Sequence, residues 1–419
     1  MTARLKVLIS AYACSPYKGS EPGVGWGFVS ALAQHHDLWV IVEEEKFRED
    51  IERYLAGSPL FAESVHFIYL KKQRNRLLRK IWPPSYYWYY RRWHKEALVL
   101  AQALHEEVGF DLAHQLTMVG FREPGYLWKL GIPFVWGPIG GMGLFPWRFL
   151  PVVGGYGALY YFGYNLFNAW QTRFSKRPKQ AARSAGCGLI AATPENQACA
   201  QKNWGCSSEL ISEVGLPAAP ALQPTMRSTS EPLRVVWTGL HEPRKALNLA
   251  LLALVRLPKT LNWELHVLGE GPRTLRWQQM ARKLSLAEHC HFHGWLPRDE
   301  AMRIMGTCHL KVITSLRDLT STVTIEALAL GLPIVCLDHC GFASVVDETC
   351  GIKVPVKTPA SVVADLAIAI GRLAEDEALR FECAKGAVVR AHDFSWDKKA
   401  AAVDRIYRKK MAENELIEK

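Results

Sequence analysis

Through the first half of the chain, short runs rich in β-branched and aliphatic residues alternate with longer stretches whose apolar positions recur every three or four residues. The runs KVLISAYA, LWVIVEEE, VHFIYL, DLAHQL and IPFVWGP predict strands, and the stretches between them predict helices. Such alternation is the βαβ signature of a parallel sheet. The second half repeats it, with LRVVWTGL, WELHVLGEG, CHFHGWL, HLKVITS and PIVCLDH as strands and KALNLALLALVRL and STVTIEALALG as helices. Between the halves lies GLPAAPALQPTMRSTSEPL, residues 215–233, rich in Pro, Ser and Thr, which reads as a linker. The expected architecture is α/β: two Rossmann-like domains, 1–214 and 234–395, facing across a cleft, followed by a helix at 396–419 that packs back on the N-terminal domain. Ligands of such folds bind at the carboxyl ends of the strands.

Composition narrows the partners. With 419 residues and 49% hydrophobic content, the chain is too long for one ordinary core and too apolar for disorder. A formal charge of +11 suits nucleic acid, an anionic membrane surface or an anionic small molecule. Much of that charge is local: residues 71–95 carry Lys71, Lys72, Arg74, Arg76, Arg79, Lys80, Arg91, Arg92 and Lys95 without an acid. Trp82, Tyr86, Tyr87, Trp88, Tyr89, Tyr90 and Trp93 stand among them. Aromatics at headgroup depth and cations worth about 1 kcal/mol each favour an anionic bilayer over stacked single-stranded nucleic acid. A packed helix pair is the other reading.

Residues 149–172 form an uncharged run long enough to cross a bilayer. Its glycines, Asn165, Asn168 and Gln171 point instead to a loop and helix that line the cleft or dip into the membrane interface. The ten cysteines are scattered without a CxxC pair, and MTARLKVLIS runs straight into a strand, so a reduced, cytoplasmic setting is expected. CLDHC (Cys336, Asp338, His339, Cys340) lacks a second ligand pair to close a tetrahedron, and no metal is expected there.

Candidate chemistry concentrates in SLRDLTSTVTIEALALGLPIV. A strand ends near Ser315 and a helix starts near Thr320, closing at Gly331 and Pro333. The first-turn N–H groups of Thr320, Ser321, Thr322 and Val323 suit an anion such as a diphosphate. Asp318 is either a helix cap or a ligand-contacting acid. Glu326, two turns in among apolar neighbours, would face the cleft, where vicinal sugar hydroxyls would satisfy it. Upstream, WTGLHEPRKALNLAL sets Gly239 at a strand end and Arg244 and Lys245 at a helix start, where cations are unfavourable unless an anion joins them. LGEGPR places Gly269 and Gly271 after another strand. In the first domain YACSPYKGSEPGVGWG offers Gly19, Gly23, Gly25 and Gly27 in a loop after the first strand. Glu43 to Glu45 imitate a ribose-binding acid, but the glycine spacing departs from a dinucleotide fingerprint.

Taken together, these motifs resemble those of the family 4 retaining glycosyltransferases of the GT-B fold. Asp318 and Glu326 fall on an E-x7-E pattern that runs into IEALALGLPIV, beside G-x5-K at Gly239 and Lys245, GEGP at Gly269 to Pro272, and HGWLPRDE at 293–300. The resemblance implies that Glu326 binds the nucleotide ribose, Asp318 the transferred sugar and Lys245 the diphosphate. It further implies that backbone around Trp295 frames the base, and that Gly23 and Gly25 let the acceptor-binding domain's backbone approach the phosphates. Two departures stand out. Leu240 occupies the family's arginine position, leaving Arg244 or His241 as substitutes, and GPIGG replaces the family's first-domain histidine, leaving His114 as the nearest catalytic candidate against a core role.

The expectation is a peripheral membrane hexosyltransferase on the cytoplasmic side, using a nucleotide-diphosphate sugar as co-substrate and a lipid-linked or cell-surface glycan as acceptor. No DxD motif occurs, and neither a metal nor another cofactor is expected. A non-catalytic nucleotide-sugar or membrane-binding protein and a nucleotide-sugar epimerase are the alternatives.

Overall fold

The computed structural model describes residues 3–73, 76–82, 85–217, 223–228 and 230–418. The chain divides into two compact units, one of residues 1–142, 170–215 and 396–419, the other of residues 143–169 and 216–395.

The first unit is built on seven strands: β1 (Lys6–Ala11), β2 (Asp37–Glu43), β3 (Val65–Leu70), β4 (Leu112–Thr117), β5 (Phe134–Ile139), β6 (Leu189–Ala191) and β7 (Glu209–Leu210). They lie in the order β3-β2-β1-β4-β5-β6-β7, and each neighbouring pair is parallel. β4 and β5 are buried along their whole length, as central strands covered on both faces must be. The second unit holds β8 (Leu233–Thr238), β9 (Trp263–Leu268), β10 (Cys290–Gly294), β11 (Leu310–Ile313), β12 (Ile334–Leu337) and β13 (Gly351–Val354), ordered β10-β9-β8-β11-β12-β13 and again parallel. In each sheet the strand order reverses once, between β1 and β4 and between β8 and β11.

The chain passes from the first unit to the second between Gly215 and Leu216, next to the boundary expected at 214, but residues 143–169 depart from the expected division. Residues 143–169 belong to the second unit because Phe145, Phe149, Val153 and Tyr161 are buried in the same core as β8, β9 and β11. The Trp396–Glu418 helix belongs to the first unit. Its Trp396 ring lies over Gly27, where an added Cβ would come within 2.2 Å of the indole. Of the stretch read as a linker, 218–222 and 229 lie outside the described residues. Arg227 is tied to the second unit, its N–H donating to Glu377 Oε1 at 2.6 Å and its guanidinium to the Ala374 carbonyl at 2.9 Å.

His114 sits in β4 with no exposed surface. Its Nδ1 lies 2.6 Å from the Tyr407 hydroxyl and its Nε2 2.8 Å from the Gly137 carbonyl oxygen, so both ring nitrogens are engaged in the core. The catalytic role considered for it is corrected: no edge of the ring is open to a substrate.

Burial pushes His114 down to about 4 and His94 down to about 3. Groups lowered in this way stabilise the fold fully above their unfolded value near 6.5, and that contribution is lost as pH falls toward the folded value. Going from pH 7 to pH 5 should therefore cost about 2 kcal/mol through His114 alone. Denaturant midpoints at the two pH values test this, and a His114→Gln variant with an unchanged pH slope would show that the imidazole is not the source.

Candidate active site in the second unit

The candidate site forms where the strand order of the second sheet reverses, at the carboxyl ends of the neighbours β8 and β11. After β8 the chain turns at Gly239, and Gly269 after β9 passes so close that a Cβ on it would lie 2.2 Å from the Gly239 carbonyl oxygen. Gly269 has φ 113°, a region closed to most side chains, so glycine is required there on both counts. Gly271 packs in the same way against the His241 backbone. These glycines serve backbone crossing, and the donor-binding role expected of Gly269 and Gly271 has no separate support in their geometry.

A short turn, Pro243–Lys245, then brings two cations to the loop after β11. That loop is tied from both sides. The Leu316 N–H donates to the Arg244 carbonyl at 2.8 Å, Thr314 Oγ1 donates to the Lys245 carbonyl at 2.8 Å, and Arg244 Nη1 donates to the Arg317 carbonyl at 3.0 Å. From the other side His339 Nε2 donates to the Leu316 carbonyl at 3.0 Å, and the Asp318 N–H donates to Cys340 Sγ at 3.2 Å. CLDHC thus supports the loop, a role its spacing did not announce.

The ties set Asp318 Oδ2 directly on Lys245 Nζ and 3.5 Å from Arg244 Nη1, while Arg244 Nε also reaches Glu242 at 2.7 Å. Two cations and a carboxylate therefore share one half-buried position. The helix Thr322–Ala329 opens immediately afterwards from Ser321, whose φ of 69° is left-handed for a non-glycine residue and whose side chain makes no capping bond. Ser321 and Thr322 are partly exposed, whereas Thr320, expected in the anion cradle, is fully buried. His241, considered as a stand-in for the family arginine, is also buried. Its Nδ1 lies 2.7 Å from Thr274 Oγ1 and burial lowers it to about 4, so it supplies no cation.

Glu326, expected to face the cleft, is buried and meets a residue that the motifs had not singled out. Arg298, from the HGWLPRDE segment, donates to Glu326 Oε1 through Nε at 2.9 Å and lies 2.8 Å away through Nη2. An exposed arginine side chain thus covers the buried carboxylate. Beneath lies Lys311, fully buried in β11 and bonded through Nζ to Thr238 Oγ1. Burial lowers it to about 7, with Glu326 opposing the shift. The spacing offered a sign of it, a lysine inside the apolar strand HLKVITS. Trp295 follows Gly294 at the end of β10 with its ring largely exposed.

In the first unit, Gly23 and Gly25 are not in a loop. Both lie in the helix Glu21–Leu32, and a Cβ on Gly25 would fall 2.2 Å from the Ala13 carbonyl oxygen. The glycines let that helix cross the loop after β1, and the phosphate approach expected of them has no separate support in their geometry. Glu21 in the same string accepts a 2.5 Å hydrogen bond from the Val119 N–H, and burial raises its carboxyl.

The basic segment is partly consumed by the fold. Lys72 is buried with Nζ 3.0 Å from the Tyr12 hydroxyl and 4.0 Å from the Tyr86 ring centre, and Tyr90 and Trp93 are buried too. Arg91 pairs with Glu123 at 3.1 Å and Arg92 with Glu96 at 3.0 Å. Leu77, Ile81, Trp82, Tyr87 and Trp88 remain exposed, beside Lys71, Lys80 and Lys95. Arg74 and the side chains of Arg76 and Arg79 lie outside the described residues. Among the described residues no helix is long and apolar enough to cross a membrane.

Residues 226–388 match the glycosyl transferases group 1 family. A stretch of 134 residues is 31% identical to a D-inositol 3-phosphate glycosyltransferase of Streptomyces bingchenggensis, covering 32% of this chain and 29% of that protein's length. Among solved structures the chain is similar to the apo form of the lipopolysaccharide outer core galactosyltransferase WaaB, with TM-score 0.62 and 13% identity over 95% of this chain and 99% of that one. It is similar also to HepE of Anabaena in complex with UDP, with TM-score 0.59 and 16% identity over 98% and 99% of the two chains. The sucrose-phosphate synthase of Thermosynechococcus elongatus gives TM-score 0.62 and 17% identity over 98% and 100%. At these identities the likeness is one of fold, and the fold is GT-B.

Lys311 gives a stability test. Its lowered value means that the cost of burying it is full below about pH 7 and fades as pH rises toward 10.5. Lys311→Met should raise stability at pH 7 by on the order of 3 kcal/mol, with the gain shrinking toward pH 10. A loss of stability in thermal melts would mean that its attraction to Glu326 outweighs the cost of its burial.

Proposed function

We propose that the protein is a retaining, family 4 type hexosyltransferase that moves a sugar from a nucleotide-diphosphate donor to a lipid-linked or cell-surface glycan, peripherally on the cytoplasmic face of a membrane. The observation that carries the reading is the Lys245 and Asp318 pair set at the start of the Thr322–Ala329 helix, inside a glycosyl transferases group 1 domain. Cations and helix N–H groups converging on one point suit a diphosphate.

In this reading the diphosphate shares Lys245 and Arg244 with Asp318 and accepts hydrogen bonds from the first turn at Ser321 and Thr322. Asp318, released toward the sugar, takes hydroxyl hydrogen bonds. Glu326 receives the ribose hydroxyls, with Arg298 as the group that orients or yields it, and Trp295 borders the base. The bond between the anomeric carbon and the diphosphate oxygen breaks through an oxocarbenium-like state. The acceptor oxygen bonds to that carbon on the same face, and its proton passes to the departing diphosphate. Preorganised cations stabilise the charge that develops on the leaving group, and neither a metal nor another cofactor is assigned a step. The first unit is assigned the acceptor, with the exposed part of 71–95 against anionic lipid. HepE has been seen with UDP and with UDP-glucose, which makes uridine diphosphate sugars the first donors to try.

A panel of nucleotide-diphosphate sugars, read by thermal shift and by release of the free nucleotide, tests the proposal. One donor should raise the melting temperature and be turned over with acceptor. Lys245→Ala should lower kcat/KM on the order of 100-fold while the protein stays folded. A panel without any response, or a Lys245→Ala variant with unchanged transfer, would overturn the assignment.

A further inference from the structure

The helix Gly154–Phe174 turns its amides inward. Beside the core residue Tyr161, its inward face carries polar side chains: Asn165 and Asn168 are buried, Asn165 exchanging two 2.8 Å hydrogen bonds with the Phe145 backbone and Asn168 donating to the Gly143 carbonyl at 3.1 Å. Its outward face is apolar. Tyr156, Leu159, Tyr160, Leu166, Phe167 and Trp170 recur at three- and four-residue steps and are 54% to 85% exposed. At the centre of this stripe stands Gly163, exposed and with open space where a Cβ would point.

We infer that this face docks on a lipid bilayer, the helix lying in the plane of the interface. A contiguous apolar stripe along about 21 Å of helix exceeds the isolated exposed residues that a surface ordinarily tolerates. Its mixture of aliphatic residues with Tyr and Trp is what headgroup depth favours. The charge pattern names the lipid. No acidic residue occurs between Glu123 and Glu195, and Arg148 and Arg173, both exposed, flank the stripe. An anionic bilayer complements both features, and the helix does not qualify as a span. Asn165 and Asn168, which argued against a span in the sequence, point inward and leave the outer face free of polar groups other than tyrosine hydroxyls and Arg173. The inward face also reaches the candidate site, since the Tyr164 hydroxyl accepts from Arg317 Nη2 at 2.7 Å with the guanidinium 3.9 Å from its ring centre. The inference deepens the membrane reading above and rests on it for its biological sense, while its geometry belongs to the helix alone.

Co-sedimentation of the intact chain with phosphatidylcholine vesicles, with and without phosphatidylglycerol, tests it. Wild type should bind, more tightly with the anionic lipid. Gly163→Glu should weaken binding at least tenfold and Gly163→Leu should strengthen it. Both replace a helix glycine in open space, so both should fold, as circular dichroism would check. Replacing Lys71, Lys80 and Lys95 with Gln separates the two surfaces: the salt-dependent part should fall while the responses at Gly163 persist. Unchanged binding by Gly163→Glu would overturn the proposal. So would a lipid-free dimer that Gly163→Glu converts to monomer, because the stripe would then be covered by a second copy. Thermal shift with UDP-sugars in lipid-free buffer keeps the readings apart: Gly163→Glu should retain any wild-type response, and a wild type that binds vesicles but no nucleotide sugar would sink the transferase reading alone.

Discussion

The second unit's site depends on how the loop from Thr314 to Asp318 is held. Strands β8 and β11 are neighbours at the point where the sheet changes direction, so the loops that leave them diverge and expose their backbone groups. Here those groups are tied together instead, through the carbonyls of Arg244, Lys245 and Arg317 on one side and through His339 and Cys340 on the other. Only with the backbone fixed in this way does the short side chain of Asp318 reach Lys245. A longer acid could find the same cation from a looser loop; aspartate has one methylene less and relies on the ties.

Charge placement in this unit is costly, and the cost is borne around one set of groups. A buried carboxylate at Glu326 needs a partner, and Arg298 supplies it from the solvent side. A buried ammonium at Lys311 lies below, held by a threonine hydroxyl and attracted by the same carboxylate. Neither would be chosen for stability, since an apolar residue in β11 would fill the space without desolvating a charge. Both lie next to the loop that carries Lys245 and Asp318. Local sequence rules are most often broken at sites kept for chemistry, and here the exceptions cluster beside the residues assigned to the donor.

Much of the fold was legible because its strands are long enough to be read. Ten runs in the sequence correspond to β1 to β5 and β8 to β12. β6 and β7, of three and two residues, are too short to establish a pattern, and β13 opens on a glycine and buries only Gly351 and Val354. The placement of the candidates was legible where a residue type is costly in any other role: Lys245 and Asp318 lie after the expected strand ends and Glu326 in the helix that follows, all in the one unit. It was not legible where spacing says nothing about direction. Gly23 and Gly25 read as loop glycines in one dimension, yet they lie in a helix and pack against backbone. His114 satisfied the search for a histidine near the end of a strand, but a strand alternates its faces, and both ring nitrogens of this one are taken up by the core. Arg298 and the pair His339 and Cys340 come from other segments, and only the folded chain shows what they touch.

The same ambiguity of direction explains the Gly154–Phe174 helix. Periodicity separates a helix into two faces, and the usual sign, apolar inward, follows from a globular protein burying what water rejects. That sign is reversed when the inward neighbour is irregular backbone. The segment from Gly143 to Phe145 passes beneath the helix without a strand or helix of its own, and its buried N–H and C=O groups must be met by side chains. Asparagine offers a donor and an acceptor together, and Asn165 uses both on one residue. With the amides committed inward, only Tyr161 among the aromatic residues is buried in the core, and most of the others are left to the outer face. A polar loop to be satisfied, rather than a core to be filled, fixes the orientation of this helix, and its exposed apolar stripe is the consequence.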